Sequence, residues 1–223
     1  MSQNPTPPNQ EPDVFGTLRR FVRPRKPAEQ CDLCSVELGP DHSHLFEPAT
    51  RQLLCACDAC ALLFSAQADT RYRRVPRRLR ALADFRLTDA QWDALLIPVG
   101  MAFFSYNSVE QRMMALYPSP AGATESLLPL EAWTEIATDN PTLADMAPDV
   151  EALLVNRVRG RREYYLVPIN KYYRLVGLMR MGWRGLSGGP DVWREIDAFF
   201  AQLQRRCGGP VAPNPAAQGE AHA

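Results

Sequence analysis

CDLCSVELGPDHSHLFEPATRQLLCACDACALLF, residues 31–64, holds five of the six cysteines and two of the three histidines in the chain. It opens on a C-x-x-C pair, Cys31 and Cys34, and closes on C-x-C-x-x-C, Cys55, Cys57 and Cys60. Two C-x-x-C pairs separated by about fifteen to twenty residues read as a zinc site. Here 22 residues separate Cys34 from Cys57, slightly long but enough for a hairpin. A tetrahedral zinc takes four nitrogen or sulfur donors at about 2.0–2.3 Å. One C-x-x-C turn brings two thiolates to a point and a second completes the shell, so the candidate ligands are Cys31, Cys34, Cys57 and Cys60.

The chain between the pairs has a plain path. His44 to Phe46 reads as a strand, Pro48-Ala49-Thr50 as a turn, and Gln52 to Cys55 as the returning strand. From Asp58 the composition turns to alanine and leucine, which suits a helix with Cys60 in its first turn. Knuckle, hairpin and helix in that order make a treble-clef-like zinc module. Cys55 and Cys57 share a strand face at period two, so Cys55, or His44, could replace one of the four ligands. Otherwise His44 packs beside the site as a hydrogen-bonding neighbour. His42, His44 and a carboxylate, Asp41 or Glu47, could make an open catalytic site; a closed structural site is favoured because four cysteines already fill the shell.

The same cysteines have two other possible uses. Disulfides are disfavoured by a reducing compartment, and no secretion-like leader is visible at the N-terminus. A rubredoxin-like iron site or an iron–sulfur cluster also uses four thiolates. The C-P and C-G pairs usual at such turns are missing, because Asp32, Ser35, Asp58 and Ala61 follow the four cysteines. Zinc is therefore the expected metal and iron the alternative.

Composition narrows the class. At 223 residues the chain fits a small metal module and one larger domain. Its formal net charge is zero, so the molecule as a whole is no electrostatic nucleic-acid binder. No apolar run approaches the ~18 residues that a membrane span requires. The zinc-like cysteine spacing and the lack of a secretion-like leader place the expected compartment in the cytoplasm.

Residues 1–13 and 207–223 are expected to be disordered tails, the first rich in proline and polar residues. Residues 14–70 carry a short helix, with Val14, Phe15, Leu18, Phe21 and Val22 at helical spacing, and the cysteine-rich module. Residues 71–206 form the larger domain. It opens on TRYRRVPRRLR, with six arginines between Arg71 and Arg80 interleaved with Tyr72, Val75 and Leu79. Such a cluster suits phosphate contact and base stacking; a basic edge strand or linker packed on the metal module is the favoured reading.

Thr88-Asp89-Ala90-Gln91 matches a capping box leading a short helix with Trp92, Leu95 and Leu96 as its apolar face. Strands follow over Val99–Tyr106 and Arg112–Tyr117, then a loop over Pro118–Ser126. A helix over Leu130–Ala137 turns Trp133 and Ile136 inward. Leu153–Val158 and Tyr164–Ile169 are strands joined around Gly160. Lys171–Met181 reads as a helix, and Pro190 starts another with Val192, Trp193, Ile196, Phe199, Phe200 and Leu203 in one stripe. The fold class is thus α+β: a zinc module, then an antiparallel sheet of about four strands with helices packed on one face. The larger domain lacks a dinucleotide fingerprint, a Walker sequence and a nucleophile elbow. Two loops, GLSGG ahead of the last helix and PSPAGATES, could hold a ligand, though turn and cap geometry suffices to explain both.

CDLC at 31–34, HSHL at 42–45, LLCACDACALLF at 53–64, YPSPAGATESLLPL at 117–130, EALLVNR at 151–157 and WRGLSGGPDVWREI at 183–196 together carry a resemblance. The chain resembles an uncharacterised bacterial family of unknown function seen in gene clusters for uptake NiFe hydrogenases. The resemblance covers roughly Cys31 to Arg206 and implies a role near hydrogenase assembly, maturation or electron delivery. The expectation is a non-enzymatic, cytoplasmic, zinc-binding accessory protein that docks on a protein partner, a hydrogenase subunit being the candidate. A rubredoxin-like electron carrier is the alternative, and arginine-mediated nucleic-acid binding a further one. An enzyme is disfavoured because no acid, base and nucleophile converge.

Overall fold

The computed structural model describes residues 29–66, 70–119, 122–126, 130–183 and 189–208. The helix expected over Val14 to Val22, the N-terminal tail, most of GLSGG and the tail beyond Gly208 lie outside the described residues.

The cysteine-rich stretch builds a three-stranded antiparallel sheet. Strand β1, Ser43–Glu47, pairs with β2, Gln52–Ala56, in a register that sets His44 opposite Cys55 and Leu45 opposite Leu54. The connecting turn closes on Arg51 at φ 57°. Helix α1, Asp58–Leu63, follows directly. The other edge of β1 takes β3, Arg73–Arg74, opposite Leu45 and Phe46. Buried Leu45, Ala56 and Ala61 and the buried Cys31 make this unit's own small core.

The larger sheet is built from β4 (Arg80–Ala81), β5 (Met101–Asn107), β6 (Arg112–Ser119), β7 (Gly122–Ser126), β8 (Glu151–Asn156) and β9 (Glu163–Pro168). All its pairings are antiparallel, in the order β4-β9-β8-β5-β6-β7. Two of these six strands go beyond the four read as the sheet: β7, from a segment read as a loop, and β4, from the basic segment read as an edge strand or a linker. The segment read as a loop from Pro118 is a hairpin instead: β6 runs on to Ser119 and Gly122–Ser126 returns beside it as β7. Glu125 of β7 pairs with Arg112 of β6 at 2.7 Å, a cross-strand ion pair that a loop reading of PSPAGATES overlooks.

The basic segment supplies the other additional strand, and its role is double. Arg73–Arg74 edges the small sheet as β3, while Arg80–Ala81 edges the large one as β4. Its arginines find acids within the chain. Arg71 pairs with Glu47, Arg73 with Asp149 at 3.1 Å and Arg77 with Asp58 at 3.4 Å. Arg78 grips the fully buried Glu151 with Nε and Nη2 at 2.6 Å each, and Arg80 meets Asp145 at 3.4 Å.

Helices cover both faces of the large sheet, not one. Met101, Phe103, Ala152, Leu154, Tyr165 and Val167 face helices α4 (Ile169–Gly182) and α5 (Gly189–Arg206). The alternate residues Ala102, Phe104, Leu153, Val155, Tyr164 and Leu166 face α2 (Asp89–Ala94) and α3 (Leu130–Asp139). Trp133 of α3 stacks on Phe104 with centroids 5.3 Å apart. The reason is legible in the strands themselves. ALLV and YYLV are apolar without alternation, the pattern of a sheet buried on both sides rather than half solvated.

The capping box forms as read: Thr88 Oγ1 accepts the Gln91 N–H at 3.1 Å, and Gln91 Oε1 accepts the Thr88 N–H at 3.0 Å. Trp92 and Leu95 are buried, but Leu96, expected on the same face, is 74% exposed. The helix has ended by then, and Leu96 turns outward at φ 54°. Trp133 and Ile136 point inward, as does the stripe of α5, where Trp193 is half-buried. No helix among the described residues is long and apolar enough to cross a membrane.

Candidate metal centre

Two short pieces of backbone converge on the four cysteines. The first is the knuckle after Gln30. Ser35 N–H donates to the Cys31 carbonyl at 2.7 Å and Cys31 N–H to the Val36 carbonyl at 2.9 Å, closing a tight turn. Ser35 takes the left-handed conformation this needs, at φ 60°. The second piece is the start of α1. Cys57 is its N-cap, and its sulfur accepts the Cys60 N–H at 3.4 Å. Asp32 ties the two together: its carboxylate accepts the Cys55 N–H at 2.7 Å, and its own N–H donates to the Cys55 carbonyl at 2.9 Å.

The sulfurs of Cys31, Cys34, Cys57 and Cys60 consequently lie within 4.8 Å of one another, and all six cysteines of the chain are free thiols. Four Zn–S bonds of about 2.3 Å in a tetrahedron space the sulfurs by about 3.8 Å. The Cys34 and Cys57 sulfurs already stand 3.8 Å apart. The four residues singled out by spacing are therefore brought together in a set that can hold a metal ion.

Proton affinities within the set diverge. Burial opposes the Cys31 thiolate, yet N–H groups from Cys57, Leu33 and Cys34 outweigh it and lower its pKa to about 6. At Cys34 the Val36 N–H favours the thiolate, but the neighbouring Cys31 sulfur carries the balance upward. Cys60, beside the Cys57 sulfur and partly desolvated, is pushed up to about 12. A cluster of four thiols resists losing all its protons; a cation at the centre removes that resistance.

Cys55 does not join this set. Although it shares a two-residue period with Cys57, β2 ends at Ala56, and Cys55 stays opposite His44 across the hairpin. Its sulfur, His42 and His44 form a second cluster whose ligand atoms also lie within 4.8 Å of one another. The two imidazole rings sit 4.6 Å apart. Burial, with His42 and Lys171 nearby, pushes His44 down to about 4. Glu47, considered as a carboxylate for the histidines, is taken by Arg71 instead. The signal for this grouping was the strand register, which aligns His44 with Cys55 once the turn at Pro48–Arg51 is fixed.

The fold and the first cluster define a class: an α+β protein of antiparallel sheets carrying a four-cysteine cluster able to hold a metal. More particularly, the chain belongs to DUF5947, described as a family of unknown function, whose model matches residues 30–207. That span runs from the residue before the first cysteine of the knuckle to the residue after α5. Neither a curated protein nor a solved structure matches the chain.

Proposed function

We propose that this chain is a non-enzymatic zinc-binding accessory protein. Cys31, Cys34, Cys57 and Cys60 hold a structural zinc that fixes a treble-clef-like module, and the module docks the chain onto a protein partner in the cytoplasm. The observation that carries the reading is the convergence of four free sulfurs within 4.8 Å. The order of knuckle, hairpin and helix supports the treble-clef comparison. All four shell positions are filled by sulfur, the pattern of a closed, structural zinc site.

Docking draws support from α1. Leu62 is 58% exposed, Leu63 71% and Phe64 39%, three consecutive large apolar residues at the end of a helix whose start carries two of the metal ligands. An apolar run of this kind on a small metal-fixed unit suits a protein contact. The resemblance supplies the candidate partner, a NiFe hydrogenase subunit during assembly or maturation. The pairing of the basic segment with Glu47, Asp58, Asp145, Asp149 and Glu151 favours an internal structural role for its arginines over phosphate contact.

Metal analysis of protein purified without oxygen tests the first half. One colourless zinc per cysteine cluster is the expected result; stoichiometric iron with a redox-active chromophore would make the protein a rubredoxin-like carrier. The second half is tested by co-purification with hydrogenase subunits. A Leu62→Ser/Leu63→Ser variant should lose the complex while keeping its zinc, and unchanged binding would remove α1 from the interface.

A further inference from the structure

We propose that His42, His44 and Cys55 form a second metal site, which holds a divalent transition metal of the zinc class with one coordination position open to the adjoining cleft. The proposal is independent of which ion the four cysteines hold.

The donor set is built, not scattered. His44 and Cys55 are fixed directly opposite each other by the β1–β2 ladder, and His42 precedes His44 by two residues with its ring against it. His42 is the informative member. Its side chain is only 8% exposed, and Nδ1 lies 2.9 Å from the Gly39 carbonyl, a group that can only accept. In the neutral ring Nδ1 therefore carries the proton and Nε2 keeps the lone pair. Nε2 is fully buried and has no hydrogen-bond partner among the described residues. A buried lone pair without a donor is costly unless something electropositive sits against it. A metal held between His42, His44 and Cys55 is that group, and the Gly39 contact is the outer hydrogen bond that orients a metal-bound imidazole. On the other histidine, Nδ1 lies 3.4 Å from the Asn170 amide, whose oxygen is likewise buried without a partner. A half-turn of that amide gives His44 Nδ1–H an acceptor and leaves Nε2 for the metal.

Bonds of about 2.0–2.3 Å space tetrahedral donors by about 3.3–3.8 Å, so atoms within 4.8 Å close on an ion by side-chain rotation alone. Three protein donors leave a four-coordinate metal one ligand short, the composition of open rather than structural sites. Both histidines border a cleft of about 510 Å³. Arg77, Lys171, Arg174 and Arg206 line it, against the acids Glu29 and Asp41. The cationic excess selects an anion for the open position.

Cobalt titration of the full-length, reduced, metal-free protein decides the matter. Two equivalents per chain are expected, one giving tetrathiolate bands and one giving bands that shift when azide is added. His42→Ala and Cys55→Ser should each bind one equivalent, keep the tetrathiolate bands and lose the azide response. The tetrathiolate bands report the four-cysteine set and the azide-responsive bands the second site, so in the wild type a failure of the four-cysteine reading is distinguishable from a failure of this one. A single equivalent in the wild type, two equivalents in His42→Ala and Cys55→Ser, or no azide response from the second equivalent would overturn the proposal. Should His42→Ala not fold, the stoichiometry and azide response of the wild type decide alone.

Discussion

Replacing Arg78 by methionine tests whether the basic segment is a structural brace. Glu151 is fully buried at the start of β8, and its carboxylate accepts Nε and Nη2 of Arg78 at 2.6 Å each and the Ala147 N–H at 2.9 Å. Methionine keeps the hydrocarbon stem but removes both charged donors, leaving a buried carboxylate with one backbone N–H. Breaking a buried pair from one side costs about 3–5 kcal/mol. Half of the Arg78 side chain meets solvent, so water softens the loss and the lower end, about 3 kcal/mol, applies. For a protein of this size that is a Tm decrease of about 6–12 °C. Urea unfolding followed by tryptophan fluorescence, with zinc saturating throughout, gives the number. Adding Glu151→Gln to Arg78→Met should recover part of it, because the charge left behind has been removed; the coupling should exceed about 1 kcal/mol. Arg74→Met, at an exposed position on β3, should stay within about 0.5 kcal/mol of wild type. If Arg78→Met costs less than about 1 kcal/mol and instead abolishes salt-sensitive binding to DNA or RNA, the arginines are a phosphate-binding surface and the brace is refuted.

Metal uptake should release protons. Cys34 and Cys60 both lie above the ordinary thiol range in the metal-free protein, so both are protonated near neutral pH and each surrenders a proton to zinc. Cys31, at about 6, is already a thiolate there and adds a further proton only below that pH, so zinc affinity should weaken increasingly as pH falls; an indicator dye in unbuffered titration measures the count. Chelation, or Cys60→Ser, should remove stabilisation on the order of 10–16 kcal/mol from the small sheet, seen as lost hydrogen-exchange protection over β1 and β2. Phe104→Ala should cost about 3–5 kcal/mol by opening a cavity under Trp133, with zinc content unchanged.

Much of this was legible from the chain. The cysteine spacing located the four sulfurs because C-x-x-C constrains geometry locally, whatever the rest of the fold does. The capping box and the stripe of α5 were equally local. What escaped was decided at long range. EALLVN and EYYLVP already lacked alternation, but the choice between one covered face and two depends on where α2 and α3 return. β7 was hidden because glycine, alanine and serine have weak strand preference, and its side-chain ties, Arg112 to Glu125 and Thr124 to Ser119, show only once the strands are paired. From the sequence, Cys55 and His44 stood as substitute ligands or neighbours of the first site and His42 with His44 as partners of a carboxylate; grouping the three requires the hairpin register, which is set by how many residues the turn before Arg51 takes up.

Phe46 of β1 and Val75, just past β3, are buried in the same core as α4 and α5. Among the described residues, one apolar interior is thus shared between the part that carries the four cysteines and the part that does not. If the four cysteines hold an ion, its loss would uncover surface from the helical half as well, marking the entire polypeptide for chaperones and proteases. Metal supply would then set how much of the protein persists, a form of control that needs no dedicated sensor.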